Sequence, residues 1–493
     1  MPIWTWVTTK PTSTTTSTNV QEAQGGRMQD TPLETRMPSS DGQSVSLDTT
    51  PSQPSYTVLT VAPDATDAEC MAASGTDLSL YRWVDDRPRF EAIETRQNRG
   101  LARPIVKTFT SRWAGRVPNP VMLTHIVTTR CNYSCGFCSF ADTLNSVSDE
   151  LSLEEIEKTY ATLGDMVNVI VYSGGETTVN RQLPEIIEAA YRLTPVKSVY
   201  VISNAWKPDL LFEITHRLMQ TCPELHLTWS LSIEGPREIN NRARYTKKNG
   251  WDAWQNTIDT MWGLKRMRQL FGYNQLDVQL CTVCTPDNAH CLPDWYDMVR
   301  DVLQPDKWNL NLMRRSVQMS DHAMASWTDR RQKQQLEPFE QMYFDLTEQV
   351  RQDVLAGRLK FLYHTEHPMD GALKSAVDLM SQEENRTVLQ GDPPQIPCRA
   401  GTSGAYIGSN GAVSGCEEFA NHPTDNKTYG MLRDFGYDFQ AIWHGQKAAQ
   451  YRQKSGCASE CYGCTLESQK NYPSVLVSFK QLVRAASMAP SIG

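Results

Sequence analysis

No apolar run in the sequence is as long as a bilayer span, so no transmembrane helix is expected. The first residues also lack a basic stretch followed by an apolar core of about 7–15 residues, the usual mark of a secretory signal. Positive charge is not in excess: 48 Lys and Arg stand against 56 Asp and Glu, a net charge of −8. Broad nucleic-acid binding and a polybasic membrane anchor are therefore not expected. These absences lead to the expectation of a cytoplasmic chain with neither nucleic acid nor membrane as partner. The 493 residues are 40% hydrophobic and 21% charged. That is enough for roughly two to four domains with a sizeable core.

Cysteine is what the sequence has in quantity, with 13 residues. A disulfide framework needs a secreted context, and none is visible. The spacing argues the same way. Cys131, Cys135 and Cys138 form one group; Cys398, Cys416, Cys457, Cys461 and Cys464 form another. Thiols two or three residues apart in such a chain suggest metal ligands.

Residues 1–56 are rich in Ser, Thr, Gly, Pro and Gln and read as a disordered tail, because they offer too little apolar surface to offset chain entropy. Residues 57–120 read as an extension packing on the core. From 121 to 313 strand and helix patterns alternate. The strands are expected at Leu123–Thr128, Val167–Tyr172, Ser198–Ile202, Leu225–Ser232, Asp277–Val283 and Trp308–Leu312. The helices are expected at Leu153–Leu163, Leu183–Leu193, Leu210–Met219, Trp251–Leu264 and Leu292–Leu303. This order implies parallel βαβ units, and right-handed crossovers curl such a sheet into a full or partial barrel. Chemistry then belongs at the C-terminal ends of the strands. Residues 314–397 read as a charged helical linker, 398–470 as a Gly- and Cys-rich domain, and 471–493 as a C-terminal helix and tail.

Cys131-Asn-Tyr-Ser-Cys135-Gly-Phe-Cys138 follows the first expected strand. Three thiolates on one tight loop can hold three corners of a cubane, whereas tetrahedral zinc wants a fourth ligand that is not near in sequence. The spacing, Phe137 before the last cysteine and the place after strand one resemble the radical SAM superfamily. The resemblance implies a [4Fe–4S] cluster on Cys131, Cys135 and Cys138, with its open iron chelated by S-adenosylmethionine (AdoMet). It further implies reductive cleavage of AdoMet to a 5′-deoxyadenosyl radical that takes a hydrogen atom from the substrate. Ser173-Gly174-Gly175-Glu176 after strand two matches the motif that binds the AdoMet amino group. Ser203 and Asn204 after strand three, and Ser232 after strand four, stand where relatives contact AdoMet. Arg244 matches an Arg that commonly pairs with the AdoMet carboxylate. Relatives read S-x-D-G-P followed by His-Asp where this chain has Ser232, Glu234, Gly235, Pro236 and then Asn240-Asn241. These departures weaken any transfer of substrate-binding roles from those relatives.

Cys398-Arg-Ala-Gly401, Gly411 to Cys416, and Cys457-x3-Cys461-x2-Cys464 resemble the SPASM/twitch extension of the same superfamily. Five cysteines imply one auxiliary [4Fe–4S] cluster on four of them; a structural zinc site is the rival. The expected fold is thus α/β: a partial (β/α)6 TIM-like barrel of the radical SAM type with a C-terminal Cys-rich SPASM/twitch-like domain.

Cys281 and Cys284 lie on strand five with opposite parity, so only one can point into the barrel and serve as a weak hydrogen-donor candidate. Cys70, Cys222 and Cys291 read as free thiols and His125 as core. The expected activity is oxidation, crosslinking or epimerisation of a peptide or small metabolite, with an electron donor such as flavodoxin or ferredoxin. The alternatives are a non-catalytic Fe–S scaffold and a zinc-binding interaction protein.

Overall fold

The structure is a computed structural model that describes residues 5–9, 56–60, 117–138, 140, 144–146, 149–246, 251–313, 336–359, 379, 380, 383, 386, 401–417 and 428–454. The chain divides into two compact units, Met1–Ala62 and Pro63–Gly493. In the first, β1 (Thr5–Thr9) and β2 (Tyr56–Thr60) pair antiparallel, with Thr5 opposite Thr60 and Thr9 opposite Tyr56. Both are short runs of β-branched and aromatic residues, which suit a pleated ladder. Reading residues 1–56 as a tail without elements does not anticipate this pair.

The second unit rests on a nine-stranded sheet. Its centre is β3 (Met122–Thr128), β4 (Val169–Gly174), β5 (Ser198–Ser203), β6 (His226–Ser232), β7 (Leu276–Cys284) and β8 (Lys307–Leu312), side by side in chain order. Every adjacent pair among them is parallel. The crossovers are α1 (Leu153–Ala161), α2 (Leu183–Leu193), α3 (Pro208–Thr221), α4 (Arg237–Ala243) with α5 (Ala253–Phe271), and α6 (Leu292–Met298); α7 (Pro338–Leu355) follows β8. This is the expected partial (β/α)6 barrel, with strands within about two residues of their expected bounds. The short α4 was not expected, because seven residues are too few to show a helical period.

Alternate strand residues point to opposite faces. One set packs under the helices. His125 and Tyr172 meet Tyr160 of α1, Trp229 donates to Thr215 of α3 at 2.8 Å, and Trp295 of α6 donates to Thr282 at 3.4 Å. The other set faces the concave side and is largely polar: Ser173, Ser230, Gln279, Cys281 and Asn311 share that parity. Several of its members, among them Val171, Tyr200 and Asn309, are only half-buried, and Ile202 is exposed. The concave face is therefore lined by groups that are not packed into a dry core.

Beyond β3 the sheet continues with β9 (Gly404–Ile407), β10 (Ala412–Ser414) and β11 (Gly430–Met431). β9 is parallel to β3, with Met122 opposite Gly404; β10 turns back antiparallel. α8 (Phe439–Trp443) and α9 (Gln446–Lys454) close this extension. Trp443 Nε1 donates to the Pro118 carbonyl at 3.0 Å. Arg433 clasps Glu155 of α1 through Nε at 2.6 Å and Nη2 at 3.0 Å, and reaches Asp149 at 2.6 Å. No helix among the described residues is long and apolar enough to cross a membrane.

The Arg433 clasp sets a pH dependence. Its guanidinium holds the Glu155 carboxyl down at about 2, from an ordinary 4.5. A depressed folded-state value means the contribution is fully present above about pH 4.5 and fades as pH falls toward about 2. Arg433→Ala is expected to cost about 1–2 kcal/mol for this part-exposed bidentate pair. In thermal unfolding of the apo-protein, the gap between variant and wild type narrows on acidification; a gap independent of pH contradicts the assignment.

Candidate functional site

The cysteine loop leaves the C-terminal end of β3. Most of the contacts that shape it do not involve the sulfurs. Cys131 N donates to Asn145 Oδ1 at 3.0 Å, and Asn145 Nδ2 returns a bond to the Cys131 carbonyl at 3.3 Å. Asn145 sits at φ 60°, a left-handed conformation that Asn tolerates better than most residues. Tyr133 is buried and accepts from Trp251 Nε1 at 2.7 Å, while Ser134 N donates to the Tyr245 carbonyl at 2.8 Å. Tyr133 N lies 3.5 Å from Cys131 Sγ, and Cys138 N donates to the Cys135 carbonyl at 3.2 Å.

Burial pushes the Cys131 thiol up to about 12 and the Cys135 thiol up to about 11, and it raises Cys138 as well. Three neighbouring thiols that do not ionise on their own are a site that needs a cationic group to draw them to thiolate. Around zinc, with bonds of about 2.3 Å, the sulfurs would crowd about one point. No three His, Cys, Asp or Glu side chains among the described residues gather closely enough to hold a single ion. The donor set fits a polynuclear cluster, in which each thiolate takes a different iron, better than a mononuclear site.

The turn after β4 locks onto this loop. Gly175 N donates to the Thr128 carbonyl at 2.9 Å and Glu176 N to the Arg130 carbonyl at 2.8 Å. Gly174 has φ +142°, and a Cβ there would collide with the Thr128 carbonyl oxygen; one on Gly175 would collide with that of Arg130. Both positions require glycine for this close approach. The Glu176 carboxylate is buried and collects Ser203 Oγ at 2.7 Å, Asn204 N at 2.6 Å and Thr178 Oγ1 at 2.6 Å. Burial pushes its carboxyl up, and these donors pull it back. Asn204 Nδ2 then reaches Asn132, inside the cysteine loop, at 2.9 Å. Gly174, Gly175, Glu176, Ser203 and Asn204 are thus brought together around the loop. Removing the carboxylate leaves several buried donors unmatched, so Glu176→Ala is expected to cost about 2–4 kcal/mol in unfolding free energy. A loss under half of that would make the hub ornamental.

Ser232 ends β6 with its side chain on the concave face. Arg244 follows α4 and is buried, but its Nε and Nη2 both go to Glu234, at 2.9 and 2.5 Å. Cys281 faces the concave side, where Asn311 Nδ2 approaches its sulfur at 3.4 Å. Cys284 has the other parity and lies under α7, 3.6 Å from the Phe339 carbonyl. His125 packs between strand and helix, with Nδ1 2.7 Å from Tyr160 Oη and burial holding its ring down at about 3. Of the second cysteine group, Cys416 is buried just past β10. Cys398, Cys457, Cys461 and Cys464 lie outside the described residues, as does Cys70. Gly401 N donates to the Gly415 carbonyl at 3.1 Å, which places the start and the end of the hairpin side by side. Glu417, next to Cys416, is near enough to Cys138 for its charge to add to that thiol's rise.

Sequence reasoning did not mark Asn132, Asn145, Tyr133 or Glu150. Glu150 accepts from Thr128 Oγ1 at 2.6 Å and from Thr129 N at 2.9 Å. Only the left-handed tendency of Asn gave any signal, and at Asn145 it was too weak to stand out.

Residues 125–262 match the model of the Radical SAM superfamily, and residues 398–465 match an iron-sulfur cluster-binding domain, SPASM. The S-adenosylmethionine-dependent nucleotide dehydratase RSAD2 of Danio rerio is 27% identical over 133 residues, 26% of this chain and 36% of that protein. The chain therefore matches about a third of that relative's length. Among solved structures, Streptococcus suis SuiB bound to S-adenosylmethionine is similar with TM-score 0.47 and 15% identity, covering 74% of this chain and 78% of that one. His-tagged anSMEcpe with bound AdoMet has TM-score 0.45 and 15% identity, covering 76% and 100%.

Proposed function

We propose that the chain, with a radical SAM domain followed by a SPASM domain, is a radical SAM enzyme that uses a [4Fe–4S] cluster and AdoMet and carries an auxiliary iron–sulfur site, and that it is an oxidoreductase acting on a C–H bond of a peptide or small metabolite. The observation that carries this reading is the interlocking of the cysteine loop with the Gly174–Gly175–Glu176 turn and Asn204. Cys131, Cys135 and Cys138 would hold the cluster. When bound, it supplies the electron that cleaves AdoMet and so the means of abstracting a hydrogen atom.

The rest falls to the chain. The two glycines let the turn close against the Thr128 and Arg130 carbonyls at the base of the cysteine loop, and Glu176 holds Ser203 and Asn204 in place beside them. The concave face, where Cys281, Asn309 and Asn311 are half-buried, offers donors and acceptors to a substrate. Cys281, and not Cys284, has the parity to reach it as a hydrogen donor. Cys416 and three of the four remaining C-terminal cysteines would hold one auxiliary [4Fe–4S] cluster. Such a cluster would take an electron from the product radical or bind substrate.

Anaerobic incubation with AdoMet, dithionite and candidate peptides or metabolites tests the reaction class. Oxidation or crosslinking removes two hydrogens from the substrate mass; epimerisation leaves the mass unchanged in ordinary water and adds deuterium in heavy water. Substrate dehydration, with loss of water instead, contradicts the oxidoreductase reading. An electron donor of flavodoxin or ferredoxin type would replace dithionite.

A further inference from the structure

Glu234 and Arg244 form a buried pair in contact with the cysteine loop. Glu234 follows β6 and its side chain is 0% exposed; that of Arg244 is 9% exposed. Glu234 Oε1 accepts both Nε and Nη2 of Arg244, and Oε2 accepts Val283 N at 2.7 Å. The backbone of Glu234 is held as well, by Asn240 Oδ1 on its N–H at 2.8 Å and Asn288 Nδ2 on its carbonyl at 2.9 Å. The guanidinium is thereby fixed along one edge. Its remaining nitrogen, Nη1, stands 4.0 Å from Cys135 Sγ, and its plane lies over the Phe137 ring with 5.6 Å to the centroid. The next residue, Tyr245, accepts from Ser134 N through its carbonyl. One short segment after α4 therefore grips Ser134, Cys135 and Phe137 of the loop.

We propose that Glu234 and Arg244 are positioning residues for the cluster on Cys131, Cys135 and Cys138: Glu234 orients the guanidinium, and Arg244 holds its positive charge against the Cys135 thiolate, making the cluster easier to reduce. Charge and hydrogen bonds at the thiolate sulfurs are main determinants of cluster potential, and a buried charge acts there with little screening. The planar fork explains why Arg suits the place: it binds Glu234 with one edge and points a third nitrogen elsewhere. Arg244 is then committed away from the AdoMet carboxylate, the role the family resemblance implies for it. The inference rests on the cluster assignment made under Proposed function.

The test is an anaerobic redox titration of the reconstituted holoenzyme with dithionite, read by electron paramagnetic resonance. The signal that changes on adding AdoMet identifies the cluster to follow. Wild type is compared with Arg244→Met, Arg244→Lys and Glu234→Gln at matched iron content. Arg244→Met is expected to make reduction at least about tenfold less favourable, a midpoint about 59 mV more negative for one electron. Arg244→Lys, which keeps the charge, is expected to recover most of that shift. Glu234→Gln, which removes the opposing charge, is expected to move the midpoint the other way. Should Arg244→Met fail to load iron, the other two variants decide: a lysine variant as negative as a tenfold loss, or a Glu234→Gln midpoint that does not rise, overturns the proposal. So does an unchanged midpoint in Arg244→Met, with or without a tenfold loss of AdoMet affinity. A wild-type signal that survives loss of Cys135 contradicts the cluster assignment instead, leaving the clamp without an object.

Discussion

Replacing Cys131, Cys135 and Cys138 together by Ala is expected to take the anaerobically reconstituted protein from about eight irons per chain to about four, one cubane of four being lost and one retained. The substitution removes the donors without removing what shapes the loop. Asn145 still bridges to the Cys131 backbone, Trp251 still meets Tyr133, and Tyr245 still accepts from Ser134. The fold should therefore persist while the site empties. The thiols are also a burden to the apo-protein in only a small way, since burial keeps them neutral. Iron unchanged at about eight would show that other residues hold the first cluster. About four irons with one zinc in the wild type would move the C-terminal site to the zinc reading.

Cys416→Ala is expected to separate two activities. Deoxyadenosine formation should stay within about tenfold of wild type, a change of about 1.4 kcal/mol in barrier, while product disappears. Cys416 lies past β10, on an extension added to the far side of β3, and no described contact of the Gly174–Glu176 turn involves it. The AdoMet-side role proposed for that turn therefore does not call on Cys416. A cluster at Cys416 would then act after, or beside, hydrogen abstraction. Equal loss of both activities in an intact Cys416→Ala protein contradicts this division.

The barrel was legible because its strands carry a strong periodic signal and its helices, such as α2 with Leu183, Ile186, Ile187 and Ala190, bury one face. The cysteine loop and the Gly174–Gly175–Glu176 turn were legible because few residue types can do what they do. Other contacts were not. Arg244 could be placed near the site but not paired, since its partner Glu234 is ten residues away and is only a departure from the usual Asp in sequence. Asn132 and Asn204 meet across 72 residues, a juxtaposition set by the sheet and not by local pattern. The face that Cys281 adopts was a choice of two, which the helices on the other side of β7 decide. The pair β1–β2 was hidden because two five-residue strands in a Ser/Thr-rich context have no period to show.

The central claim is that this chain reductively cleaves AdoMet at a cluster held by Cys131, Cys135 and Cys138. The most direct measurement is the amount of 5′-deoxyadenosine released when reconstituted protein, AdoMet and dithionite are mixed without oxygen. Wild type is expected to release it, even without substrate at a slow uncoupled rate, and the triple Ala variant to release none above a protein-free control. Release by the triple variant at the wild-type rate, or none from a wild type loaded with about eight irons, would contradict the account.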